Sequence, residues 1–211
     1  KKSDYKRYPR NITKDIKILK RLKVDYVFLP KKREIYENKL NLKLKLNIKD
    51  KILCAKYRKG HFEGVLGVIN KFLKIIKAKY IFLGKKDFQQ LYLINKLIKK
   101  KFNTNIISCK TVRNKKMVAL SSRNRLLNDN DLNISSKIAK LLFKFKKKLN
   151  KNFNNKNKIK KIKIEINKFR NIKLEYLEIR NKFNLSKKIN KHNFKIFIAY
   201  YNRNVRLIDN Y

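Results

Sequence analysis

Two runs equip this chain for chemistry: Gly84-Lys85-Lys86-Asp87-Phe88-Gln89-Gln90 and Ala119-Leu120-Ser121-Ser122-Arg123-Asn124. The first falls where a short apolar stretch, Tyr80-Ile81-Phe82-Leu83, gives way to a helical pattern. Open α/β sheets hold nucleotides at such a junction, in the crevice at the carboxyl ends of the strands and beside a helix N-terminus. Lys86 stands where a cation would neutralise phosphate, although in so lysine-rich a chain it also reads as an ordinary solvated side chain. Asp87 has two readings, a ligand for ribose or metal and a helix cap, since Asp87-x-x-Gln90 is a capping-box pattern. The second run packs two hydroxyls and a forked guanidinium into three positions. That is a good inventory for gripping a polyphosphate, and equally a serine-capped loop before a helix.

The elements that must hold these runs follow from hydrophobic spacing. Ile16, Leu19 and Leu22 predict a helix over 13–22 with Thr13 as its cap. Val24–Phe28 reads as a short strand closed by Pro30, and 37–55 as a strand or connector. Phe62, Val65, Leu66, Ile69, Phe72, Leu73 and Ile76 form a helical stripe. Tyr80–Leu83, apolar at consecutive positions, predicts a buried strand. A helix over 87–99 is expected to bury Leu91, Ile94 and Ile98, with a strand at Asn105–Cys109 after it. Strand, helix and strand of these lengths imply a right-handed crossover and a parallel sheet.

Beyond residue 111 the texture changes. Asp129 and Asp131 suit the N-terminal dipole of a helix reaching Lys148, and 150–158 is an Asn/Lys-rich linker. Ile159, Ile162, Ile166 and Phe169 fit a helix, while Ile162, Ile164 and Ile166 alternate like a strand. Leu174–Ile179, Phe194–Tyr200 and Val205–Ile208 read as strands, the last two joined by an Asn202-Arg203-Asn204 turn. The expected architecture is α/β: a Rossmann-like parallel-sheet domain over 1–111 and a smaller α+β C-terminal domain over 112–211, set as a lid.

At 211 residues and 43% hydrophobic content the chain can bury a core. Its net charge of +46 would by itself point to nucleic acid or an anionic membrane. Lysine far outnumbers arginine, however, and lies along every segment, as compositional drift in an A+T-rich gene would leave it. A selected nucleic-acid surface favours clustered arginine among exposed aromatics, so nucleic acid is the secondary reading. Cys54 and Cys109 lack metal or disulfide spacing. No apolar run reaches membrane-spanning length and no signal-peptide pattern opens the chain. A cytoplasmic protein is the expectation.

Further motifs run in order along the chain: Tyr8-Pro9-Arg10, Val24-Asp25-Tyr26-Val27-Phe28-Leu29-Pro30, Ile35-Tyr36, Arg58-Lys59-Gly60-His61-Phe62-Glu63-Gly64-Val65 and Arg206-Leu207-Ile208-Asp209-Asn210. With the two runs above, they resemble the pantothenate synthetase family over nearly the whole chain. The resemblance implies an ATP-dependent ligase that condenses pantoate with β-alanine through an acyl adenylate, as a homodimer and with Mg2+. It implies ATP contacts from Gly84, Lys85, Lys86, Asp87, Val112, Leu120, Ser121, Ser122 and Arg123, a pantoate contact from Gln90, and Asp15 as the metal's acid. It also favours helix over strand for 159–169.

The departures are specific. The family's first strand, its H-x-G-H motif and a glutamine-bearing loop precede its Y-P-R, whereas this chain opens seven residues before Tyr8. A truncated and inactive or impaired chain is therefore expected, with the intact gene product a ligase. The family's acidic pair reads Lys14-Asp15, and its D-G-L reads Lys116-Met117-Val118. These changes also leave room for a degenerate, non-catalytic remnant. His61 reads as structural, and His192 carries no signal.

Overall fold

The computed structural model describes residues 11–36, 44–153 and 156–211, and divides the chain into two units, Lys1–Lys43 and Leu44–Tyr211. In the first, helix α1 spans Ile12–Arg21. Its cap is Asn11, whose side chain accepts from the Lys14 amide at 2.9 Å, rather than the expected Thr13. Asp15 in its first turn and Lys20 and Arg21 in its last complement the helix dipole. The strand expected at Val24–Phe28 does not form: no partner strand hydrogen-bonds to it among the described residues, and Tyr26 is 92% exposed. Helix α2 (Lys32–Tyr36) follows. Tyr8-Pro9-Arg10 and positions 37–43 lie outside the described residues.

In the second unit, 44–53 is irregular apart from a 3₁₀ turn at Ile48–Asp50, and helix α3 is the short Cys54–Tyr57. Helix α4 (His61–Ile76), strand β1 (Tyr80–Gly84), helix α5 (Phe88–Lys101) and strand β2 (Asn105–Cys109) form the expected strand–helix–strand unit. The strands pair in parallel from Tyr80 opposite Asn105 to Gly84 opposite Cys109. β1 is not buried as expected. In a two-stranded sheet only one face is packed, so Ile81 and Leu83 meet the core while Phe82 is 68% exposed. The α5 stripe is also rotated from expectation: Leu93, Ile94, Leu97 and Ile98 are buried and Leu91 only half so.

Helix α6 (Asp129–Lys151) runs into the expected linker, and helix α7 (Lys156–Asn167) begins within it. Asn128 caps α6, accepting from the Asp131 amide at 2.9 Å. Strands β3 (Ile172–Asn181), β4 (Phe194–Asn202) and β5 (Val205–Asn210) form an antiparallel sheet in that order, the last two joined at the expected turn.

This sheet is packed on both faces, which explains the continuous apolar run of β4. Phe197 and Ala199 meet the core formed with α4 and α5, while Ile196, Ile198 and Tyr200 meet α6. β3 joins the same two cores with the help of one irregularity. Leu174 pairs with Tyr200 but Tyr176 pairs with Ala199, so Glu175 is an extra residue, a β-bulge. Without it the period-two alternation would set Leu174 and Leu177 on opposite faces; with it both reach the α6 side.

Candidate active site

The C-terminal end of β1 opens into a 3₁₀ turn, Lys85–Asp87, that leads into α5. Its backbone is pinned from β5: the Asn210 side-chain amide donates to the carbonyls of Lys85 and Lys86 at 2.9 and 2.8 Å. Asp87 is the N-cap residue of α5, but its side chain makes no capping bond, so the capping-box pattern is not realised. The carboxylate lies 3.9 Å from the Lys86 ammonium. Gln89 is buried and structural, donating to the carbonyls of Asp50 and Ile52.

Two adjoining cavities share this turn. The larger is lined by Lys86 and Asp87, by Ser121, Arg123 and Asn124, and by Arg58, Arg206 and Asp209. The smaller adds Gln90 and His61 to a largely apolar wall of Leu53, Phe62, Phe88, Tyr176, Phe197 and Ile208. Four cations against two carboxylates give the larger cavity a positive field suited to anions.

The charged walls are held by buried pairs. Glu175, set out of register by the bulge, takes the Arg206 guanidinium through both carboxylate oxygens. Their side chains are only 10% and 15% exposed. Burial lowers and the Glu175 pairing raises the affinity of Arg206 for its proton, and the pairing prevails, so the group stays charged. The Cys54 thiol adjoins both Arg206 and the Tyr176 hydroxyl, at 3.4 and 3.1 Å. Burial in this cluster pushes the Tyr176 phenol well above its usual range.

Asp209 is held bidentately by Arg113 at 2.6 and 2.9 Å, and it accepts from the Tyr211 hydroxyl at 2.8 Å. The Arg113 guanidinium lies 4.9 Å from both the Phe143 and the Tyr211 ring centroids. Arg113 also bridges to Ala119, so this cluster ties the loop that carries Ser121 to β5. The Ser121 hydroxyl accepts from the Arg123 amide at 3.3 Å. Asn124 donates to the Ala119 carbonyl, while its own carbonyl oxygen is buried in the cavity wall without a partner among the described residues. A buried acceptor in that state favours a ligand with a donor to offer.

Of the residues singled out from sequence, Lys86, Asp87, Ser121 and Arg123 share the larger cavity, and Gln90 lies in the smaller. Gly84 ends β1, and Lys85 faces a separate groove. Ser122, Leu120 and Val112 line neither cavity, and Val112 is 65% exposed. Asp15 belongs to the other unit, exposed beside Lys14 on α1. Among the described residues no three His, Cys, Asp or Glu side chains come together to hold a metal. The described residues therefore do not by themselves form a cage for magnesium.

Arg58, His61, Glu175, Asn124, Arg206 and Asp209 had not been singled out as site residues. A legible signal existed for three of them. Arg206 and Asp209 are charges inside an otherwise apolar strand, which must be paired or functional. Arg58 is three residues ahead of His61, and its Nη1 lies 2.6 Å from the His61 Nε2. The turn between them passes through Gly60 at φ 75°, a conformation that favours glycine.

A family model described as pantoate-β-alanine ligase matches residues 1–211. A pantothenate synthetase of Francisella tularensis subsp. mediasiatica is 40% identical over 212 residues, covering 99% of this chain and 72% of that protein. The crystal structure of a Francisella tularensis pantoate-β-alanine ligase complexed with β-γ ATP and β-alanine is 36% identical and superposes with a TM-score of 0.80, over 100% of this chain and 73% of that one. The pantothenate synthetase of Thermus thermophilus shares the fold, with a TM-score of 0.90 at 23% identity over 99% of this chain and 76% of that one. The Rossmann-like α/β class expected from sequence is thus borne out. No helix among the described residues is long and apolar enough to cross a membrane.

Proposed function

The chain belongs to the pantoate-β-alanine ligase family, and on that premise we propose that it joins pantoate to β-alanine with ATP, through a pantoyl adenylate formed in the paired cavities. The observation that carries this reading is the pairing itself: a cationic cavity and a largely apolar one meet at Lys86 and Asp87. The cationic half suits the triphosphate, with Lys86, Ser121 and Arg123 on its oxygens. The buried Asn124 acceptor suits a donor on the nucleoside. The apolar half suits the paired methyl groups of pantoate, with the Gln90 amide on its hydroxyl and carboxylate.

In the first step a carboxylate oxygen of pantoate attacks the α-phosphorus and pyrophosphate leaves. In the second the amine of β-alanine attacks the activated carbonyl and AMP leaves. Neither step requires a covalent bond to the protein. The cavity's work is to hold three anionic groups in line and to answer charge that builds at phosphorus. Arg206 and Lys86 are the cations placed for that task, and the Glu175 pairing fixes Arg206 in advance, without reorganisation at the moment of reaction.

Magnesium belongs to this reading as the companion ion of ATP, held by phosphate oxygens and water, the usual manner of Mg2+ at nucleotide sites. The 112–211 segment acting as a lid over 1–111, a homodimer and a cytoplasmic location are parts of the same proposal. The test is product analysis with the protein expressed from its gene. The reading predicts AMP and pantothenate in equal amounts, both requiring pantoate. ADP in place of AMP would overturn it.

A further inference from the structure

Away from the paired cavities, an open groove of about 420 Å³ is lined by Lys85, Lys146, Lys182, Lys191, Lys195 and His192, and by no carboxylate among the described residues. Phe88 and Phe183 flank it, with the Lys195 ammonium 5.1 Å from the Phe88 centroid and that of Lys182 5.0 Å from the Phe183 centroid. None of these five lysines has an ion-pair partner among the described residues.

An excess of lysine alone would not single out this place. Lysines left by drift lie on open faces, as Lys99, Lys100 and Lys101 do at the end of α5. Here three of the five are half-buried, Lys85 in the turn after β1, Lys146 on α6 and Lys195 inside β4. Water therefore does not fully screen the repulsion that each feels from the others. The acid acting on Lys195, Asp209, is already engaged by Arg113. Convergent, partly desolvated ammonium groups without a counter-charge are a site awaiting an anion of several charges.

We propose that this groove is a second anion site, which takes a compact oligophosphate, free or carried by a nucleotide. A concave pit of this size suits a short phosphate chain better than a polymer that must run past it. The site communicates with the paired cavities through one turn. Lys85 lines the groove and Lys86 the cavities, and the Asn210 amide holds both of their carbonyls.

The test is calorimetric titration of inorganic tripolyphosphate at about 0.15 M salt, where long-range attraction is screened beyond roughly 8 Å. Four proteins are compared: the parent, K146A/K182A/K195M, the milder K182E/K191E, and the cavity variant S121A/R123A. The substitutions in K182E/K191E lie at exposed positions, so its folding is not in question. We expect two bound tripolyphosphates in the parent, a groove site at least tenfold weaker in both lysine variants, and an unaltered groove site in S121A/R123A. A parent-like groove site in K182E/K191E would overturn the proposal. So would single-stranded RNA binding that the lysine variants lose while tripolyphosphate binding stays unchanged, which marks a nucleic-acid surface. In the S121A/R123A background, ATP binding equal to tripolyphosphate identifies a free chain as the ligand, and tighter ATP binding that F183A abolishes identifies a nucleotide.

Discussion

Removing Glu175 should destabilise the fold far more than its single ion pair suggests. The bulge sets this carboxylate against Arg206 where both side chains are at least 85% buried. Three contacts join the pair, and the only other group bonded to the guanidinium among the described residues is the Cys54 thiol. E175A would leave a charged guanidinium in a nearly dry cluster with a thiol and a phenol, neither of which neutralises it. Breaking a buried pair in this way typically costs about 3–5 kcal/mol, whereas replacing both partners with apolar groups is often neutral. We therefore expect a loss of about 3 kcal/mol in E175A and less than about 1 kcal/mol in E175L/R206M. In urea, with a slope of about 1–3 kcal/mol/M, the single variant moves the midpoint by at least about 1 M. If both variants lose stability equally, the penalty comes from lost packing, and the account of an uncompensated charge is refuted.

The lysines of the groove make a prediction of opposite sign. Lys195 is lowered from 10.5 to about 8 by burial first and then by Lys146, with Lys85 and Arg113 adding to the repulsion and Asp209 opposing it. Unfolded chains hold the extra proton between those values, so this stability is present above pH 10.5 and is lost as pH falls to 8. K195M should thus be more stable than the parent at pH 7, by on the order of 2 kcal/mol, and lose most of that advantage at pH 10.5, read by urea unfolding at each pH. Asn202 is fully buried and donates to the Asp131 carbonyl and the Ser135 hydroxyl at 2.8 and 3.1 Å. N202A should cost about 2 kcal/mol in the same assay, because it strands two buried acceptors. In steady-state kinetics, R123A should raise KM for ATP about tenfold or more with KM for pantoate nearly unchanged, and Q90A should do the reverse.

The longer helices were legible because their apolar stripes run far enough to average out local noise, whereas the short α2 and α3 carry no such stripe and were not foreseen. α4 carries seven apolar positions at helical spacing and falls within a residue of expectation. The Val24–Phe28 run has the same apolar composition as β1, but whether a strand forms depends on a partner that a local pattern does not display. Glu175 was unreadable for a related reason. A bulge is a property of two strands in register, so nothing in Leu174-Glu175-Tyr176 alone announces that the carboxylate meets Arg206 thirty-one positions later. Lys86, Ser121 and Arg123 were readable because they sit in runs whose position at a strand end or loop already carries meaning. The groove lysines come from the turn after β1, an α6 face, β4 and the connection between β3 and β4, and only the tertiary fold brings them together.

The most direct test is pantoate-dependent exchange of labelled pyrophosphate into ATP, with the protein expressed from its gene and β-alanine withheld. If adenylation takes place where Lys86 joins the two cavities, exchange requires pantoate, proceeds without the amine, and falls about 10²-fold or more in K86A, as when a single transition-state donor is removed. Exchange that proceeds unchanged in K86A, or pyrophosphate release only once β-alanine is added, would contradict the account.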